Sequence, residues 1–112
     1  MLTSVENHLT FLHANICQAL ADPKRIQILY ALAERPRHVT TLAHDLDIPQ
    51  PTVSRHLRIL RQQSLVTTHR EGVSVMYRLA DQRIIQVLDT LRQVMVEAIE
   101  EKTVVLNGRQ PA

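Results

Sequence analysis

Residues 40–79, TTLAHDLDIPQPTVSRHLRILRQQSLVTTHREGVSVMYRL, constrain the chain most, because their apolar periodicity changes within one short stretch. Val53, Leu57 and Leu60 recur at i, i+4 and i+7, which fixes one inward helical face. Asp47-Ile48-Pro49 breaks the pattern ahead of them. Prolines at 49 and 51 fit only a helix start, where backbone donors lack intrahelical partners anyway. Beyond Leu65 the period shifts to two. Val73, Val75, Tyr77 and Leu79 alternate with Ser74, Met76 and Arg78, as in a half-buried strand. Residues 66–70 supply its partner, and Arg70-Glu71-Gly72 the turn, with Gly72 free to take positive φ.

The helix before the turn spans residues 39–45, with Thr40 or Thr41 as its cap and Leu42, Ala43 and Leu46 inward. A short helix, a tight turn, a second helix and a hairpin, in that order, spell a helix-turn-helix with a β-wing. Such a unit places its second helix in the major groove of DNA. At about 100° per residue, Pro51, Arg55, Arg58 and Gln62 lie opposite the apolar stripe of that helix, with Gln50 and Ser54 on its flank. Arginine reads guanine bidentately, glutamine reads adenine and serine donates to either. The same face also fits an ordinary solvated helix; the basic hairpin, with His69 and Arg70 at its tip, favours DNA.

Charge placement agrees. Residues 48–80 hold Arg55, Arg58, Arg61, Arg70 and Arg78 against one acid, Glu71, so this segment carries +4 of a chain total of +2. A basic centre with a slightly acidic periphery is the electrostatic footprint of a DNA-binding face. No apolar run approaches the roughly 20 residues a spanning helix needs. Glu6, Asn7 and His8 interrupt any signal-peptide core. A single cysteine excludes an intrachain disulfide framework. A cytoplasmic protein is expected.

At 112 residues one domain is expected over 1–106, with a flexible tail at 107–112. The first helix covers residues 5–20, with Leu9, Leu12, Ile16 and Leu20 on one face, broadened by Phe11 and Ala19. Asp22 caps a second helix with Pro23 at its first position. Ile26, Ile28, Leu29, Leu32 and Ala33 form its buried side, and Arg35-Pro36-Arg37 ends it. The last helix, residues 81–105, repeats Ile84, Leu88, Leu91, Met95 and Ala98 at heptad-like spacing. Ile85, Val87, Val94, Val96 and Ile99 add a second apolar stripe. One small core cannot cover both, so a dimer face is expected from Leu9, Leu12 and Ile16 with Ile84, Leu88, Leu91, Met95, Ala98 and Ile99.

Three segments together, Ala19-Leu20-Ala21-Asp22-Pro23-Lys24-Arg25, Gln50-Pro51-Thr52-Val53-Ser54-Arg55-His56-Leu57 and Arg70-Glu71-Gly72 with Tyr77-Arg78-Leu79, resemble the ArsR/SmtB family of small bacterial winged-helix repressors. The resemblance covers roughly residues 8–100. It implies a mainly α fold of about five helices with a two-stranded wing, paired into a homodimer through the first and last helices. It implies a repressor on a pseudo-palindromic operator, released when a small effector binds. Carried over residue by residue, DNA contacts fall to Val39, Thr40 and Thr41 on the positioning helix and to Gln50, Pro51, Thr52, Ser54, Arg55, His56 and Arg58 on the reading helix. His69 and Arg70 serve the wing. Pro49 departs from the family pattern, standing where Ser or Thr often caps the reading helix.

Effector positions of the resembling family fare poorly here. The helix before the turn, Thr41-Leu42-Ala43-His44-Asp45-Leu46, holds no cysteine. On the last helix, Asp81-Gln82-Arg83 and Val94-Met95-Val96-Glu97 place Arg83 and Val94 where metal-binding histidines are needed; neither can ligate. No metal site and no cofactor are therefore expected. Cys17 reads either as an effector or redox thiol or, more simply, as a small apolar residue in a helix contact. His8 and His13 with Glu97, Glu100 or Glu101 of a partner remain an alternative nickel or zinc set. An effector, if any, would be a metal ion, arsenite or an oxidant. No Gly-rich phosphate loop, HExxH or nucleophile–base pair points to an enzyme. A constitutive or thiol-redox regulator and a protein-docking winged helix without DNA binding are the remaining alternatives.

Overall fold

The computed structural model describes residues 2–106; the expected tail at 107–112 lies outside them. The elements run α1 (Leu2–Phe11), a π-helical continuation (Leu12–Cys17), α2 (Pro23–Glu34), β1 (Arg37–His38), α3 (Val39–Leu46), α4 (Gln50–Gln62), β2 (Val66–Glu71), β3 (Ser74–Leu79) and α5 (Arg83–Leu106). The chain divides into two compact units, Met1–Asp81 and a second that begins at Gln82.

In the first unit, the core is built from one face of each helix. Ile28, Leu29, Ala31 and Leu32 come from α2, Leu42 from α3, and Val53, Leu57 and Leu60 from α4, with Ile48, Leu65 and Val66 closing the ends. Burying a side chain of this size contributes about 1.5–3 kcal/mol, so this cluster holds the three helices in register. Asp22 caps α2 as expected, its carboxylate accepting from the Lys24 N–H at 2.8 Å. Ile26 and Ala33 are half-buried, and Ala31 takes an inward place not foreseen.

The expected two-stranded wing is the β2–β3 hairpin, and a short further strand joins it. β1, β3 and β2 make a three-stranded antiparallel sheet in that order, with Arg37 opposite Tyr77 and His38 opposite Met76. Arg37, expected only to end a helix, is a strand residue. Because β3 is the central strand, Val75, Met76 and Tyr77 are all half-buried, and the simple two-face alternation is lost. The ladder of β2 and β3 continues to Glu71 opposite Ser74. The loop is therefore Gly72-Val73, tighter than the expected turn. Gly72 has φ +60°, and Val73 points outward at the apex, 98% exposed, instead of joining the inward row. His69 and Arg70 pair with Met76 and Val75, short of the tip where they were expected.

The first helix widens locally from ordinary α geometry. Its Leu12–Cys17 interval is π-helical, a form found mostly as single-turn interruptions and often near functional positions. Val5, Leu9, Phe11 and Leu12 are exposed along it, while Ala19 at its end is buried.

The second unit is α5. Val87, Leu91, Val94, Met95, Val96 and Ile99 are exposed large apolar residues, and Leu88 is buried at 8% exposure. No described helix is long and apolar enough to cross a membrane.

Candidate nucleic-acid interface

The turn between α3 and α4 sets the reading helix. Asp47 takes the left-handed conformation (φ 53°, ψ 48°) after α3. Its N–H bonds the His44 carbonyl at 3.3 Å, and the Ile48 N–H bonds the Ala43 carbonyl at 3.0 Å. These bonds satisfy the last carbonyls of α3 and bury Ile48 in the core, the usual logic of a helix C-terminus that reverses direction. Aspartate tolerates this backbone better than most residues because its short polar side chain bonds locally.

Pro49 then stands at the N-cap of α4 with no side-chain capping bond. Its carbonyl accepts from the Thr52 and Val53 N–H groups at 3.0 and 3.1 Å. The departure from a Ser or Thr cap seen in the sequence is thus real in the fold. Pro51 inside the first turn removes a further donor that would have needed a partner.

With Val53, Leu57 and Leu60 buried, the opposite face of α4 is fixed outward. Gln50, Pro51, Arg55 and Arg58 are exposed, and Thr52 and Ser54 are half-buried beside them. The Arg55 guanidinium reaches the Thr52 hydroxyl at 3.3 Å. That intrahelical bond holds Arg55 toward the N-terminal half of the helix.

His56 behaves differently from its neighbours. Its ring is half-buried, and Nδ1 lies 3.4 Å from Arg25 Nη1 on α2. Burial lowers its pKa below the ordinary histidine value, opposed by the Asp22 carboxylate and assisted by the positive charges of Arg25, Lys24 and Arg55. His56 thus faces inward across α4, as a residue packing beneath the reading helix does.

On the positioning helix, Thr40 is exposed and Val39 and Thr41 are half-buried. Neither threonine caps it. His38 occupies the N-cap position without a side-chain capping bond, and its Nδ1–H donates instead to the Val75 carbonyl at 3.0 Å. The cap was misplaced because β1 runs directly into α3, leaving no loop for a threonine to occupy.

Two arginines take structural roles that residue spacing did not reveal. Arg25 donates Nε to the Ala19 carbonyl at 2.6 Å and Nη2 to the Gln18 carbonyl at 3.1 Å, closing the end of the first helix. Arg37, 6% exposed, pairs with Asp45 on α3 at 2.8 Å and with Glu34 on α2 at 2.6 Å. Its Nε atom is buried without a partner among the described residues. Glu34, three residues before Arg37, was the available local signal; Asp45 lies eight residues on and gives none.

Cys17 is exposed at the end of the π-helical interval. His8 and His13 are exposed on the first helix, as are Glu97, Glu100 and Glu101 on α5. Within a single chain, no three metal-ligating side chains converge among the described residues.

Residues 22–68, from the cap of α2 through the reading helix into the wing, match the family described as bacterial regulatory protein, arsR family. The chain is 34% identical over 95 residues to the nodulation protein NolR of Rhizobium meliloti, covering 82% of this chain and 78% of that one. It belongs to the arsR family. This arsR-family chain is also 44% identical over 85 residues to the HTH-type transcriptional repressor SmtB of Mycobacterium tuberculosis, covering 75% of its own length. It spans 63% of SmtB, a little under two thirds of that relative. A solution structure of a homodimeric winged helix-turn-helix DNA-binding domain from Mycobacterium bovis is 30% identical and superposes with a TM-score of 0.75, covering 86% of this chain and 89% of that domain. This chain's fold is therefore a winged helix-turn-helix, with a third short strand beside the wing hairpin.

Proposed function

We propose that this arsR-family chain is a transcriptional repressor that binds a pseudo-palindromic operator as a homodimer and is released by a small effector. The observation that carries the reading is the outward face of α4, where Gln50, Arg55 and Arg58 are exposed behind a buried Val53–Leu57–Leu60 seam. Side chains of these types, on a helix held by a tight turn and followed by a basic hairpin, match base-edge and phosphate chemistry. In this reading α4 lies in the major groove, Thr40 and Thr41 meet the phosphate backbone, and Arg70 reaches the duplex beside it. Two copies would set their reading helices one DNA turn, about 34–36 Å, apart.

The exposed apolar rows on the first helix and on α5 supply the surface a homodimer needs. We take residues 1–106 as one functional module in the cytoplasm, where its DNA is. The release step rests on the family resemblance; Cys17, exposed on the first helix, is its candidate thiol.

Selection of duplexes from a randomised library by the purified chain, followed by fluorescence anisotropy, tests the reading. Arg55→Ala should abolish preference for the selected duplex while sedimentation shows the same assembly. Unchanged affinity and preference would instead favour a protein-docking role for α4.

A further inference from the structure

Each nitrogen of the Arg25 guanidinium makes a connection between elements. Nε and Nη2 hold the Ala19 and Gln18 carbonyls of the first helix, and Nη1 meets His56 Nδ1 on α4. All four residues lie within Met1–Asp81. The first helix reaches Gln18 through a π-helical interval, Leu12–Cys17. Such an interval is one wide turn away from ordinary α geometry. Converting one to the other rotates the carbonyls that follow it, and those carbonyls are Arg25's acceptors.

We propose that Arg25 is a positioning residue for DNA reading, coupling the end of the first helix to the recognition helix through His56. The inference rests on the DNA-binding reading of α4. A shift of the first helix that withdraws the Gln18 and Ala19 carbonyls frees the guanidinium. The Arg25–His56 contact then loosens from the same side of α4 that anchors Leu57. Arg55, which flanks His56 on the outward face, moves with the helix. Coupling of this kind acts through one discrete side-chain network with two arrangements, not through distance alone.

The contact has its own chemical signature. Guanidinium nitrogens only donate, so His56 Nδ1 accepts, and the ring is the neutral form protonated on Nε2. Protonating His56 replaces the acceptor with a second donor facing Arg25, and the contact is lost. The charged groups around the ring are Asp22, ahead of α2, Lys24 and Arg25 on α2, and Arg55 on α4 itself; only Asp22 favours the protonated ring.

The test uses the full chain and two duplexes, one selected by the wild-type protein from a randomised library and one scrambled. The readout is the ratio of their affinities from pH 5 to pH 8, with thermal melts in parallel. For the wild type this ratio should fall as pH drops below the ordinary histidine range. Arg25→Gln should lower it at pH 7.5 about five- to tenfold, the scale of coupling between contacting residues, and flatten its pH profile. Arg25→Lys, which keeps the charge and one carbonyl bond, should fold and show the same loss of selectivity. His56→Gln should also flatten the profile, and combining it with Arg25→Gln should add little. Nitrogen-15 shifts of the His56 ring report the tautomer directly, and Arg25→Lys should raise the Nδ1-protonated fraction. A ratio and pH profile unchanged in Arg25→Gln or Arg25→Lys, with only a lower melting temperature, would overturn the inference and leave the DNA-binding reading standing. Failure of the wild type to select any duplex would overturn both.

Discussion

Arg37 Nη1 donates to Asp45 Oδ2 across 2.8 Å, tying the edge strand β1 to the positioning helix α3. The same guanidinium bonds Glu34 at the end of α2. One nearly buried cation therefore links the end of α2, the start of the sheet and α3. Removing one partner of a buried pair leaves an uncompensated charge, whereas replacing both with apolar side chains does not.

Asp45→Ala should therefore destabilise the chain by about 2 kcal/mol in urea denaturation, less than the 3–5 of a fully isolated pair because Glu34 remains. The double variant Arg37→Met with Asp45→Leu should lose less than the sum of the single variants. Additive losses would show that the pair contributes no coupling.

Asp22 gives a pH-dependent counterpart. The Lys24 N–H holds its carboxylate below the ordinary pKa, opposed by desolvation and helped by the charges of His56 and Arg25. A depressed folded-state pKa means the cap stabilises fully above the unfolded value, about pH 4, and fades as pH falls through the lowered one. Asp22→Ala should lower the melting temperature at pH 7, and the gap to wild type should narrow as pH falls below about 4. A gap of constant size across that range would show that the cap is not the ionised carboxylate.

Much of this fold could be read from residue spacing. The α4 seam of Val53, Leu57 and Leu60 and the Asp22-Pro23 helix start are local signals, settled within one or two turns of chain. What escaped was long-range. Nothing near Arg37 announces that it will pair with β3 across the sequence, and β1 is only two residues long. The apex of the wing moved because strand pairing ran on through Glu71 and Ser74, which leaves Val73 no inward place. His56 carries the same lesson. Helical periodicity puts it beside the apolar stripe, but only tertiary structure supplies Arg25 as its neighbour.

Arg70 separates phosphate contact from base reading. It is exposed on β2 opposite Val75, and a phosphate contact there is blind to sequence. Arg70→Ala should weaken selected and scrambled duplexes alike and reduce the slope of log affinity against log salt by about 1. Loss confined to the selected duplex would make Arg70 a base-reading residue instead.

The apolar rows of α5 bear on assembly. Leu91 is 61% exposed and Met95 53% in the single chain, one turn apart on a helix that also exposes Val87 and Ile99. Side chains this large and this aligned gain by mutual burial, at about 25 cal/mol for each Å² removed from water. A charge placed among them would have to be buried unpaired in any partner that covers the row. Leu91→Asp should therefore shift the chain to monomer at micromolar concentration in sedimentation velocity. On the proposed dimeric DNA-binding reading, affinity for the selected duplex should fall at least tenfold while the far-ultraviolet circular dichroism spectrum keeps its helical shape. A Leu91→Asp chain that stays dimeric would move the interface off this row of α5 and onto the first helix, where Leu9, Phe11 and Leu12 are also exposed.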